Sequence, residues 1–267
     1  MTCFVCETCG TQFAEQNVPP TRCPICEDDR QYVGWQGQRW LTMQELAQNH
    51  QLRIGDDDGL LGVAIEPSFA IPQRALLLPT DYGNILWECL SLVTDAAVDA
   101  LSQRGGVRAI IISHPHFYSS MHAWSVALGG VPIVLHEADR AWIQGPSPNV
   151  VFWSGDVNPL SRDVTLLRCG GHFPGSTALH WRAGPRGPTL FPGDALQVAM
   201  DRRHVAFMYS YPNHIPMKTS DVRHIQQLLA PYDIEDVFGF SWGRNILGHG
   251  RGAVDASLHR HLLAAKQ

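Results

Sequence analysis

The chain has 267 residues, 45% of them hydrophobic, and a formal net charge of -5. That length supports a large buried core with a small appendage beside it, and the acidic balance gives no electrostatic basis for binding DNA or RNA, which depends on basic surface. No apolar run reaches the roughly 18 residues of a membrane span and no charged-then-apolar leader opens the sequence, so a cytoplasmic protein without membrane contact is expected.

Five of the seven cysteines lie at the start of the chain: Cys3, Cys6, Cys9, Cys23 and Cys26. In a reducing compartment such crowding means metal more often than disulfides. Cys6-x-x-Cys9 and Cys23-x-x-Cys26 have the double-knuckle spacing that closes four thiolates around one ion, and Gly10 and Pro24 let the turns aim backbone N–H groups at sulfur. The pattern resembles a rubredoxin-like zinc ribbon, with Cys3 as the spare. A redox-active dithiol pair without metal is the competing reading, and a four-sulfur site accepts zinc or redox iron. The ribbon is expected over residues 1–33 and a linker over 34–50, in which Trp35 and Trp40 pack the ribbon onto the main domain, residues 51–267. Cys89 and Cys169, in apolar strands, are expected in the core.

From Leu60 the sequence reads as short strands, LLGVAIEP, RALLLPT and NILWECLSLV, punctuated by Pro and Gly. Thr94 is the N-cap of a helix over DAAVDALSQR that stops at Gly105-Gly106. VRAIIIS is a continuous apolar strand of the fully buried kind. A helix over MHAWSVALGG, a strand over VPIVLHE and a helix over ADRAWIQ follow. DVTLLRCGGH, TALHWRA and TLFPGD give three more strands. SDVRHIQQLLAPY is an amphipathic helix with Val222, Ile225, Leu228 and Leu229 on one face, DVFGFSW is the last strand, and a helix carrying His259 and His261 closes the chain. Strands in clusters with helices between them fit an α/β (α+β) sandwich of two sheets with helices outside.

Three apolar runs each end in metal-ligand residues: IIISHPH at His114 and His116, LLRCGGH at His172, and LFPGD at Asp194. Each is a strand handing over to a Gly- or Pro-containing loop, where a rigid sheet presents ligands at its edge. Three neutral imidazoles and a carboxylate form a set that zinc or iron accepts.

These residues resemble the motifs of the metallo-β-lactamase superfamily, whose first signature is H-x-H-x-D-H followed by separate His, Asp and His motifs. Here that signature is degenerate: Tyr118 stands at the acidic position and Ser119 at the second histidine, so half of the family's second metal site is missing. Gly170, Gly171, His172 and Gly175 fit the family's G-x-H-x-x-G context, and Gly193-Asp194 its bridging aspartate. The resemblance covers residues 50 to 267 and implies the αββα sandwich of that family. Glu88 lies where the family has a strand-end Asp that braces the metal loop. Trp242-Gly243 aligns with the family's terminal His-Gly, so His249 is not expected to be a ligand.

The expected activity is that of a mononuclear metal-dependent hydrolase, in which a metal-bound water attacks an ester, thioester, amide or similar bond of a small substrate. Asp194 either closes the metal's coordination or orients the water. Tyr118 either donates a hydrogen bond to a developing oxyanion, takes on phenolate character beside the metal, or fills the second-metal space. FMYSYPNHIPMK, with Phe207, Met208, Tyr209 and Tyr211, either lines the substrate pocket, anchors its loop, or forms a homodimer contact. The ribbon stabilises the chain or recruits a protein partner. Two other functions compete with hydrolysis: a redox or oxygen-handling protein with an iron-bound ribbon, and a non-catalytic binding protein with a decayed site.

Overall fold

The computed structural model describes residues 1–265. The N-terminal segment contains an antiparallel pair, β1 (Phe4–Cys6) and β2 (Trp40–Thr42), and a helix α1 (Met43–Asn49). Thr42 caps α1 reciprocally with Glu45, which satisfies two of the amides that a helix start leaves unpaired. The expected linker therefore contributes a strand and a helix. Its two tryptophans behave differently from expectation. Trp35 is fully exposed at the tip of a Gly34–Gly37 turn, and Trp40 packs edge-on against Phe13 within the cysteine module, with ring centroids 4.8 Å apart.

The first large sheet has seven strands in sequential order: β3 (Gln51–Asp57), β4 (Leu60–Glu66), β5 (Arg74–Thr80), β6 (Gly83–Trp87), β7 (Ala109–Ile111), β8 (Ile133–His136) and β9 (Val150–Trp153). The first four form an antiparallel meander and the rest run parallel, connected by α2 (Asp95–Gln103) and α3 (Met121–Ala127). Thr94 caps α2 as its sequence requires, accepting from the Ala97 amide at 3.3 Å. ADRAWIQ falls in a 3₁₀ segment, Glu137–Trp142.

The second sheet is built from β10 (Val157–Pro159), β11 (Val164–Arg168), β12 (Thr177–Gly184) and β13 (Gly187–Phe191). Two small hairpins intervene, β14 (Gln197–Val198) with β15 (Val205–Ala206), and β16 (Met208–Ser210) with β17 (Ile215–Pro216). Helix α4 (Thr219–Leu229) then returns the chain to β18 (Asp236–Phe238), parallel to β13, and β19 (Asn245–Ile246) and α5 (Gly250–Ala264) complete the unit.

Strand periodicity sorts the core into layers. On β5, Leu76 and Leu78 join Trp87, Ile111, Leu166, Leu179 and Phe191 in a cluster drawn from both sheets. Leu77, between them, faces the other way into a cluster with Leu101 of α2 and Trp124 of α3. On the far side, Val222, Ile225 and Leu229 of α4 and Val254 and Leu258 of α5 cover the second sheet. Helix, sheet, sheet, helix is the αββα sandwich expected. All the loops that carry the candidate ligands leave these strands at one edge.

A buried ion pair ties the sheets together. Arg74 on β5 bonds Asp57 on β3, the Gly239 carbonyl after β18, and Asn245 Oδ1 on β19 at 2.8 Å. Both charged side chains are 2% exposed. The same knot ends the last long strand early. DVFGFSW is a strand only to Phe238, because Gly239 and Phe240 turn their carbonyls to Arg74, and Trp242 leaves the site edge to pack beside Gly62 under Arg53.

Removing one partner of a fully buried pair leaves an uncompensated charge, which costs about 3–5 kcal/mol. Arg74→Ala is therefore expected to destabilise the protein by that amount in denaturant unfolding monitored by circular dichroism. A loss below about 1 kcal/mol would mean that Asp57 finds another donor.

Candidate metal centres

The structure brings both predicted ligand sets together. Cys6, Cys9, Cys23 and Cys26 form one buried group, and His114, His116, His172 and Asp194 another, each with ligand atoms within 4.8 Å of one another.

In the first group Cys6 Sγ lies 3.5 Å from Cys26 Sγ, and Cys9 Sγ 3.7 Å from Cys23 Sγ. A disulfide needs about 2.05 Å, whereas metal–sulfur bonds of about 2.3 Å set tetrahedral edges near ~3.8 Å. The separations fit a shared ion. Gln38 Nε2 donates to Cys6 Sγ at 3.0 Å, a bond that favours thiolate. Hydrogen bonds among the four sulfurs lower the Cys6 thiol, while burial and the same bonds raise those of Cys9 and Cys26, as expected where four thiols share one buried space. Cys3 stays outside the group, and Cys89 and Cys169 are buried in the core.

The second group sits where β7, β11 and β13 end. His114 follows β7 in extended backbone, and a 3₁₀ turn over Pro115–Phe117 swings His116 to the same side. His172 follows β11 through Gly170-Gly171, and Asp194 follows β13. Gly193 is required by close approach, since at its φ of 55° an added Cβ would lie 2.3 Å from Ser113 Oγ.

A backbone carbonyl fixes the tautomer of His172, and Ser113 orients His114. His172 Nδ1–H donates to the Tyr209 carbonyl at 2.9 Å, so its Nε2 carries the lone pair, 3.2 Å from His116 Nδ1. His114 Nδ1 is 2.8 Å from Ser113 Oγ, and its Nε2 lies 3.6 Å from Asp194 Oδ2. Metal–nitrogen bonds of about 2.0–2.1 Å give tetrahedral edges near ~3.4 Å. His114 Nε2 and Asp194 Oδ1 are buried without a hydrogen-bond partner, a costly state unless an ion fills the space between them.

Burial drives the site's titration. It holds His114 and His116 well below the usual imidazole range and lowers His172 to about 4, so all three are neutral ligands at pH 7. Burial also raises Asp194 to about 7. Glu88 is raised to about 8 by burial, and its Oε2 accepts the Ser113 amide at 3.1 Å. Glu88 thus braces the ligand loop through Ser113, as its place in the motif pattern implies, and it does so from a left-handed backbone with φ of 69°.

Other candidates lie elsewhere. The buried Tyr118 hydroxyl donates to the Asp139 carbonyl at 3.4 Å, and burial raises its pKa well above the ordinary phenol value. Its side chain lines a different cavity, beside Cys3 and Thr11, so neither phenolate character nor an oxyanion contact follows from its position. Ser119 Oγ accepts from Gln73 Nε2 at 2.8 Å, and Phe240 stacks on Phe117. His249 is exposed before α5, bonded to the Leu247 carbonyl. In the aromatic loop Phe207 is buried in the C-terminal core, while Tyr211 packs on His172 and its hydroxyl reaches the Asp194 carbonyl at 3.1 Å.

His116, His172 and Asp194 open into a cavity of about 310 Å³. Ala70, Ile71, Pro72, Phe240 and Pro212 give it apolar walls, and Gln197 and Tyr211 polar ones. Thr8, Gln31 and Tyr32 of the cysteine module complete it. No sequence signal marked these three residues or Arg30, whose Nη1 donates to the His172 carbonyl at 3.3 Å, because each meets the site only through the docking of the module.

The fold and the two ligand clusters define a protein of the metallo-β-lactamase fold. Among solved structures it is similar to VMB-1 (TM-score 0.58, 13% identity, 80% of this chain and 98% of that one) and to the metallo-β-lactamase DIM-1 (TM-score 0.56, 14% identity, 81% and 97%). No family model matches the sequence. The chain belongs to the family of the uncharacterized protein YmaE of Bacillus subtilis (strain 168), with 38% identity over 268 aligned residues that span 99% of this chain and 97% of YmaE.

Between pH 5 and 7 only Asp194 among the four ligands changes protonation. The histidines are already neutral, and Glu88 stays protonated throughout. A proton on Asp194 competes with a cation, so the cluster's affinity for cobalt(II) is expected to fall about tenfold per pH unit below pH 7 and to level off above it. A titration flat from pH 5 to 7 would exclude Asp194 as a ligand.

Proposed function

We propose that the protein is a metal-dependent hydrolase with a single ion at His114, His116, His172 and Asp194, acting on a small uncharged substrate, and with a structural zinc in the four-cysteine group. The observation that carries this reading is the convergence of four buried ligand groups within 4.8 Å of one another, three of them, His116, His172 and Asp194, on the wall of a cavity lined by no lysine or arginine. Three imidazoles with a carboxylate suit zinc, and iron is the other ion that this donor set accepts. An ion bound there lowers the pKa of water towards ~7 and polarises a substrate carbonyl.

The chain's own groups perform the rest. Asp194 Oδ2 lies 3.6 Å from His114 Nε2, and Oδ1, buried without a partner, is the oxygen left to orient a water and accept its proton. The Tyr211 hydroxyl, on the Asp194 carbonyl, and Ser113 at Gly193 hold that loop still. Ala70, Ile71, Pro72 and Phe240 exclude water from the apolar side of the cavity and leave room for an ester, thioester, amide or lactone of modest size.

Two ions per chain are expected by elemental mass spectrometry. His116→Ala should retain one ion, at the cysteines, and lose at least about 100-fold in turnover of whichever member of a neutral ester and lactone panel the wild type hydrolyses. Turnover unchanged in that variant would sink the mechanism.

A further inference from the structure

The cysteine module lines the cavity with Thr8 of its first knuckle, and it bonds the candidate centre through the segment that follows its second knuckle. Glu27 N donates to the Cys23 carbonyl, and Gln31 N to the Asp28 carbonyl, so residues 27–31 continue directly from the sulfur ligands. Arg30, 9% exposed, is held by Asp28 Oδ2 at 2.8 Å and lies over the Phe173 ring, 4.0 Å from its centroid, while Nη1 donates to the His172 carbonyl. Its own carbonyl accepts from Ser210 Oγ at 3.1 Å. Asn213 Nδ2 donates to the Asp29 and Gln31 carbonyls at 2.9 and 3.0 Å. The two loops clamped in this way are those that orient His172: its own loop, and the β16–β17 hairpin whose Tyr209 carbonyl fixes its tautomer.

Around the sulfurs the module has only a small core of its own. Its buried cluster consists of the four cysteines and Ile25, with Phe13, Trp40 and Trp142 packed against them. A core that small takes its folding free energy from the bound ion. The ion therefore anchors one end of the 27–31 segment, whose other contacts are the Arg30 bond to the His172 carbonyl and the bonds to the hairpin behind the His172 ring.

We propose that the cysteine module is a positioning element for the second centre, with Arg30 as the residue that transmits it, so that occupancy of the four sulfurs raises the affinity of the histidine and aspartate cluster for its own ion. The inference rests on the reading of that cluster as a metal centre. The coupling is reciprocal by linkage, and it makes the centre sensitive to thiol oxidation or metal removal at a site that never touches the substrate.

Cobalt(II) titration of the full chain tests it, because thiolate-bound cobalt absorbs strongly in the near ultraviolet and cobalt on imidazole and carboxylate gives only weaker visible bands. Wild-type protein is expected to fill both sites. Arg30→Met should keep the thiolate band and lose about 10- to 100-fold in affinity at the second site, the range for groups that orient a ligand without touching the metal. Arg30→Lys should recover part of the loss, and Cys23→Ser should weaken both sites. If Arg30→Met fails to fold, as a missing thiolate band would show, Asn213→Ala decides the matter by a loss in the same direction. Second-site affinity unchanged in Cys23→Ser, or in Arg30→Met with its thiolate band intact, overturns the inference and leaves the hydrolase reading standing. A wild type that binds cobalt only through sulfur overturns both.

Discussion

The arrangement of the site depends on keeping polar atoms buried without their ordinary partners. His114 Nε2 and Asp194 Oδ1 are enclosed and unbonded, and His116 Nδ1 and His172 Nε2 face each other 3.2 Å apart. Each unbonded buried atom costs on the order of 1–3 kcal/mol, and ligand groups gathered within 4.8 Å of one another offer an ion as their common partner. The fold commits much local structure to holding this set: a left-handed Glu88, a Gly193 packed on Ser113, and a 3₁₀ turn that reverses the chain between His114 and His116. Those features have no use in a core, where an apolar residue would fill the same space at lower cost.

Departure from the family's two-ion pattern has a structural counterpart. At the positions where the resembled family has further ligands, Tyr118 turns away to Asp139, Ser119 is taken up by Gln73, and Trp242 packs under Arg53 beside Gly62. The space is filled with bonded or aromatic groups instead of free donors. A decayed centre would show the same loss spread across its first set of ligands, yet His114, His116, His172 and Asp194 keep both their spacing and their bracing through Ser113 and Tyr209. The loss falls on one side of the site and the retention on the other.

The cysteine module is more than an appendage. It closes the cavity with Thr8, Gln31 and Tyr32, it receives backbone bonds from the first-motif loop through the Gln12 amide and the Ser119 carbonyl, and Ser91 Oγ donates to the Gly10 carbonyl at 2.7 Å. Trp35, which a linker reading buries against the main domain, stands in solvent instead, because β2 and α1 already attach the module and leave the turn at Gly34–Gly37 outside.

Both ligand sets were legible in the sequence because their signals are local. Two Cys-x-x-Cys knuckles, an H-x-H after an apolar strand, and a Gly-Asp after another are set by a few neighbouring residues, and the strand and helix periods that give the sandwich are local too. The limits of that reading were equally physical. DVFGFSW looks like one strand until Arg74, from another sheet, captures the carbonyl at Gly239. Tyr118 sits in the motif but its hydroxyl is claimed by Asp139, twenty-one residues away along the chain. Arg30, Gln31 and Tyr211 acquire their roles only when the module and the β16–β17 hairpin meet over His172. Sequence alone determined which residues can bind an ion and which strands carry them; the tertiary structure decided which side chains face the cavity, because orientation depends on contacts between segments that no local pattern records.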